Sequence, residues 1–161
     1  MNPEKYRISF VHLFWGLAIL SLWITGIIIT PLIANISPFA SDYLYFLYKP
    51  VCHQLIHRSF IIDDLPLAVC IRCTSFYGAG LVVFFVYLVK KKISFWNASV
   101  YFVLISPGII DFFLEKMGVY NDIVLIRIAT GLMMGIAFFQ LFVLSLSHLK
   151  LNRMKLSTES R

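Results

Sequence analysis

The chain has 161 residues, 60% of them hydrophobic and 14% charged, and its 14 Lys and Arg outnumber 8 Asp and Glu for a formal net charge of +6. With a mean hydropathy of +0.83, it carries more apolar surface than a water-soluble core of this size can hide, which excludes an ordinary soluble domain. The positive balance does not indicate a nucleic-acid partner: no basic stripe interleaved with aromatic residues is present, and Lys and Arg gather at the ends of apolar runs, where they set membrane topology.

The first apolar run covers about residues 8–33, after Lys5 and Arg7; it contains Trp15 and Trp23 and closes on Thr30-Pro31. It is longer than the apolar region of a signal peptide and lacks a small-residue cleavage site, so it reads as a retained transmembrane helix. Residues 35–64 form a first outer loop, too punctuated to span: Pro38, Asp42, Lys49, Pro50, His53, His57, Arg58, Asp63 and Asp64 interrupt it. The aromatic patch Tyr43 to Tyr48 suits the membrane interface. Pro50 is tolerated in a first helical turn, so a short interfacial helix is expected to carry Cys52 to about Arg58.

Asp63 and Asp64, with Pro66 just beyond, read as a helix start, which places a second span at about residues 65–89, stopped by Lys90, Lys91 and Lys92. A third span follows at about 95–114, with Pro107-Gly108 as a candidate kink. A polar turn through Glu115, Lys116, Gly118, Asn121 and Asp122 leads into a fourth span at about 123–149, and the polar tail 150–161 is expected to be disordered. The fold class is therefore an all-α integral membrane protein, a single four-helix transmembrane domain over 1–149 with a short interfacial helix in its first outer loop. Lys5, Arg7, the run Lys90 to Lys92, Lys150, Arg153, Lys155 and Arg161 share one side. The positive-inside rule then puts both termini and the tail in the cytoplasm of a multi-pass plasma-membrane protein, with the loop 35–64 outside.

All three cysteines and two of the four histidines fall between Cys52 and Cys73. Cys70-Ile71-Arg72-Cys73 is a C-x-x-C at a helix start; residues three apart share a helical face, so both sulfurs can reach one metal ion or each other. A helix N-terminus also favours the thiolate that binds metal or attacks a disulfide. The remaining ligands would come from the preceding loop. His53 and His57, four apart on a short helix, complete a Cys2His2 set, and Cys52 with His53 completes Cys3His; both compositions suit tetrahedral zinc.

Cys52-His53-Gln54, Arg58-Ser59-Phe60 and Cys70-x-Arg72-Cys73 with Tyr77-Gly78, and more loosely Asp111, Arg127, Thr130-Gly131 and Gly135, resemble the bacterial and archaeal membrane proteins grouped as domain of unknown function 2085. Ser75 stands where that pattern has glycine after Thr74, and His57 falls where it does not require histidine. The resemblance favours Cys52, His53, Cys70 and Cys73 as the metal ligands, with His57 as an alternative ligand, and brings no established activity.

Asp111 and Arg127 each lie about one turn inside the outer end of a span. An unpaired charge costs roughly 2.5–3.5 kcal/mol at a helix centre on insertion scales, and less near the interface. Asp111 is therefore expected to pair with Arg127 or with Arg72. Arg58, Arg72 and Arg127 together can form a cationic cup for an anionic lipid head group, and with Asp111 they are the candidates for any chemistry beyond metal binding; a small hydrophobic substrate is the other class of ligand the site could take. Gly131 and Gly135 provide a G-x-x-x-G face that can pack within the bundle or serve a homo-oligomer.

Three functions compete. A zinc or similar ion can pin the outer loop to the second span, as a structural or a catalytic site. A membrane thiol-disulfide oxidoreductase can use the C-x-x-C with a quinone, although three cysteines do not supply a second pair as relay. A metal-dependent enzyme or binder of an anionic lipid head group would use the arginines. The metal-site reading is favoured, with enzyme status left open.

Overall fold

The computed structural model describes residues 10–90, 96–118 and 123–159, with side chains described through Leu146. The basic residues Lys5, Arg7, Lys91 and Lys92 and the turn residues Asn121 and Asp122 lie outside the described residues, as do the side chains beyond Leu146.

Four helices among the described residues are long and apolar enough to cross a membrane. They are α1 (Phe10–Leu32), α3 (Ile71–Lys90), α4 (Ala98–Lys116) and the first part of α5 (Val124–Glu159), whose apolar stretch is Val124–Leu146. Each exceeds the minimum of roughly 17 residues for a hydrocarbon core about 30 Å thick. A shorter helix, α2 (Pro38–Tyr48), follows α1. The all-helical four-span fold expected from composition is thus present.

The boundaries differ from the sequence expectation in informative ways. The short helix precedes the Cys52–Arg58 stretch rather than carrying it: Pro38 takes its first turn after Ser37, and only a three-residue 3-10 turn, Ile56–Arg58, follows Cys52. Asp63 and Asp64 do not cap the second span. Both adopt left-handed backbone conformations, φ 49° and 62°, and form the two-residue turn of a small antiparallel hairpin pairing β1 (Ile61–Ile62) with β2 (Leu65–Pro66). Aspartate tolerates that region because its short side chain interacts locally, and two such residues are what a type I′ hairpin turn requires. The second span therefore starts at Ile71. In the third span α4 continues unbroken through Pro107 to Lys116, so Glu115 and Lys116 are helical rather than part of a turn. The fourth helix extends past residue 149 to Glu159, where a disordered tail was expected.

Helix α3 is the hub, packed along α5 and, on another face, against α1; α4 packs on α5 and α2 on α1. Leu13 and Leu20 of α1, Val83, Phe84 and Tyr87 of α3, and Phe139 and Val143 of α5 make one buried cluster. Of the phenylalanines, Phe84 and Phe139 are buried in it, whereas Phe85, Phe138 and Phe142 point outward with the many other exposed apolar side chains. In lipid such exposure is the solvated state, and helix association rests on close packing rather than on escape from water.

The G-x-x-x-G face of α5 is spent inside the chain. A Cβ on Gly131 would meet the Arg72 carbonyl oxygen, and one on Gly135 would lie 2.5 Å from the Phe76 carbonyl oxygen and 2.8 Å from Ala79 Cβ. Glycine there lets α5 approach the backbone of α3. Gly135→Leu is expected to destabilise the bundle by about 1–3 kcal/mol through overpacking, read as a lowered Tm in detergent, while Leu132→Ala on the exposed face leaves it unchanged. An unchanged Tm for Gly135→Leu would contradict this packing.

Candidate metal centre

A group of polar residues among the described ones collects at one end of the bundle, where α1 ends, α3 begins, α4 ends and α5 begins. Helix α2 is fastened there to α1: Ser41 Oγ donates to the Thr30 carbonyl at 2.8 Å and Tyr48 Oη donates to the Trp23 carbonyl at 2.9 Å. Tyr45 Oη reaches the Pro66 carbonyl and so ties α2 to the hairpin. Backbone hydrogen bonds from Cys52 N to Tyr48 O (3.1 Å) and from Leu67 N to Phe60 O (2.8 Å) fix the two sides of the loop.

Gln54 locks the remainder. It sits at φ 53°, strained for a residue with a side chain, and its amide nitrogen donates to the Tyr45 carbonyl at 2.7 Å and the Ala68 carbonyl at 2.9 Å. Those two bonds join α2 to the segment after β2 that delivers Cys70 and offset the backbone strain. Leu67, Ala68 and Val69 are buried immediately before Cys70, with Ala68 and Val69 fully enclosed. Thr74 N donates to the Cys70 carbonyl at 2.9 Å, so Cys70 occupies the capping position of α3 and Cys73 lies in its first turn.

This framework gathers three sulfurs. The Sγ atoms of Cys52, Cys70 and Cys73 all lie within 4.8 Å of one another, Cys52 buried and the other two half-buried, and none is in a disulfide. Tetrahedral zinc with Zn–S bonds of about 2.3 Å separates its sulfurs by about 3.8 Å, so the spacing fits a shared ion. The backbone N–H of Cys70 donates to Cys52 Sγ at 3.1 Å, the type of second contact that stabilises a thiolate ligand. Hydrogen bonds from the thiols of Cys70 and then Cys73 hold Cys52 well below the ordinary thiol range, despite its burial. Donation to Cys52 raises Cys70 in turn. Three thiols this close favour shedding protons to a cation.

Neither histidine joins the sulfur group. His53 is exposed and lines a cavity of about 310 Å³ that also borders Cys52, Cys70 and Cys73. His57 is not on a common helical face with it; its Nε2 accepts a hydrogen bond from Arg58 Nε at 3.0 Å.

The cavity's opposite wall is ionic. Glu115, on the last turn of α4, is the meeting point of three guanidiniums: Arg58 from the 3-10 turn, Arg127 from the first turn of α5 at 2.8 Å, and Arg72 from the first turn of α3 at 3.5 Å. Asp111, one turn before Glu115, pairs with Arg72. Of the two partners expected for Asp111, Arg72 pairs with it, and Arg127 pairs with Glu115. The sequence reading missed Glu115 because it ended the third span at residue 114. Its signal was nonetheless present, since a carboxylate four residues after Asp111 shares its helical face.

The profile of a family described as "Predicted membrane protein (DUF2085)" matches residues 52–141, a stretch that contains the three cysteines and the ionic wall. An uncharacterized protein of Methanocaldococcus jannaschii is 31% identical over 105 residues, covering 63% of this chain and 67% of that protein. Another, from Methanothermobacter thermautotrophicus, is 30% identical over 90 residues, covering 55% and 81% respectively. No solved structure matches the chain.

Proposed function

We propose that this chain, which belongs to the DUF2085 family of predicted membrane proteins, is a polytopic membrane protein in which Cys52, Cys70 and Cys73 hold one thiophilic metal ion, zinc by preference, with His53 as the fourth ligand. The observation that carries the reading is the convergence of three sulfurs from two segments 18 residues apart, within 4.8 Å. His53 is the natural fourth ligand because it adjoins Cys52 and borders the same cavity. Soft thiolates with one imidazole select zinc over hard cations. A closed set of four makes the ion a pin that joins the loop between α2 and β1 to the start of α3, where the loop's own backbone is irregular and needs fastening.

The membrane would be the plasma membrane, with both termini in the cytoplasm and the metal site on the outer side, as the distribution of Lys and Arg indicates. The competing thiol oxidoreductase reading is weakened by the cysteine count: three cysteines can form one pair and leave one over, which is no relay.

Elemental analysis of detergent-purified protein is expected to find about one equivalent of zinc, with three thiols reactive only after chelation. After chelation in intact cells, a membrane-impermeant maleimide should label those thiols. Absence of metal with a single reactive thiol would mean that two cysteines are paired, would overturn the metal reading, and would direct the search to a bound quinone.

A further inference from the structure

The ionic wall contains more donor capacity than a structural tie requires. Arg58, Arg72 and Arg127 come from three different elements and converge on the single carboxylate of Glu115. One guanidinium suffices to pair a carboxylate, since its planar fork matches two oxygens. Three forks around one point suit a tetrahedral group, which offers oxygens in more than one plane. Arg72 Nε is also buried without a hydrogen-bond partner, although the same side chain reaches both Asp111 and Glu115. A buried donor left unmade costs about 1–3 kcal/mol, so its persistence points to an acceptor that the protein chain does not provide.

Space for that acceptor is adjacent. All three guanidiniums line the cavity of about 310 Å³, near the lower limit of small-ligand pockets and suited to a head-group-sized species. Val51, Leu55 and Phe112, each substantially exposed, add apolar surface to its lining. An oxoanion bearing an apolar substituent can therefore be accommodated as well as a bare one. Glu115 is the next-to-last residue of α4, so its side chain can leave the arginines by rotation without unwinding the helix core.

We propose that this cavity binds a phosphate group, as inorganic phosphate or as the phosphate ester of a lipid head group, and that Glu115 holds the three arginines in the ligand's place until it is displaced. Glu115 is then a built-in competitor, and a phosphate oxygen satisfies Arg72 Nε. The inference rests on the arginines and Glu115, and the proposed metal ion bears on it only by ordering the loop that carries Arg58.

Equilibrium dialysis of the detergent-purified full chain against radiolabelled inorganic phosphate tests the first source. Nanodiscs of phosphatidylcholine with and without phosphatidic acid, scored by lipid retained on the purified protein, test the second. Glu115→Gln is expected to bind the phosphate group about tenfold tighter and Arg58→Gln about tenfold weaker than wild type, both with wild-type metal content, while Lys90→Ala, at the far end of α3, leaves phosphate binding and metal content unchanged. Saturable binding of inorganic phosphate with this order supports a soluble ligand; retention of phosphatidic acid alone, with the same order, supports a lipid. No saturable binding of either probe, or equal binding by wild type, Glu115→Gln and Arg58→Gln, overturns the proposal. If Glu115→Gln does not fold, the comparison of wild type with Arg58→Gln, whose change lies in the outer loop, decides it.

Discussion

Cys70→Ser is expected to bring bound metal from about one equivalent to background, a loss of more than about tenfold, and Cys52→Ser and Cys73→Ser are expected to do the same. Serine is nearly isosteric, but its neutral hydroxyl stays protonated where a thiolate would form, and a hard oxygen is a poor partner for a soft site. The three sulfurs lie within 4.8 Å of one another, so each loss leaves only two thiolates in the cluster. His53→Ala removes the proposed fourth ligand, which is exposed rather than packed among the sulfurs, and should weaken metal retention without abolishing it. Lys90→Ala, at the opposite end of α3, should retain the wild-type content. Structural zinc sites contribute about 10–16 kcal/mol of apparent binding energy in small domains. In this chain the ion's contribution should appear as loss of order in the loop from Cys52 to Val69, while the helical bundle stays folded. Equal metal content in Cys70→Ser and Lys90→Ala would sink the assignment.

The second large effect concerns the carboxylates. Asp111 is buried and Glu115 is 13% exposed, and together they pair with guanidiniums from three elements. Removing one partner of a buried ion pair costs about 3–5 kcal/mol, because the surviving charge is left without compensation. Asp111→Ala should lie at the low end of that range, since Arg72 keeps Glu115 as a partner. Glu115→Ala should lie at the high end, since Arg58, Arg72 and Arg127 all lose a shared counter-ion. The double variant Arg72→Met with Asp111→Leu should recover most of the loss, because it removes both charges together. Denaturant titration in phosphate-free buffer measures all three. A cost below about 1 kcal/mol for Glu115→Ala would mean that the wall is hydrated enough to behave as a surface ion pair.

The two predictions probe features that differ in how far they can be read from the chain. Helix identity was legible because an apolar run near 20 residues has few stable alternatives in lipid, where every backbone polar group must be satisfied within the segment. Helix limits were less legible. Asp63-Asp64 followed by Pro66 fits a helix start and a hairpin turn equally well, and the hairpin wins because Tyr45 and Gln54 hold the carbonyls of Pro66 and Ala68 from outside the segment. Likewise Pro38 and Pro50 are both admissible first-turn prolines. The helix forms at Pro38 because Ser41 and Tyr48 can then bond the α1 carbonyls of Thr30 and Trp23 respectively.

By itself, the sequence determined that this is a four-span helical membrane protein with its cysteines confined to one loop and one helix entry. Both follow from composition and from residue spacing along one element. Only the tertiary structure decided that Cys52 meets Cys70 and Cys73 without the help of a second helix, that Asp111 takes Arg72, and that Glu115 gathers three arginines. Such pairings join α3, α4, α5 and the loop after α2, across 39 residues or more in the case of Arg72 with Asp111 and Glu115. Local periodicity carries no information at that range. The close approach of α3 to α5 at Gly131 and Gly135, together with the loop held by Gln54, sets which charges and which sulfurs come within reach.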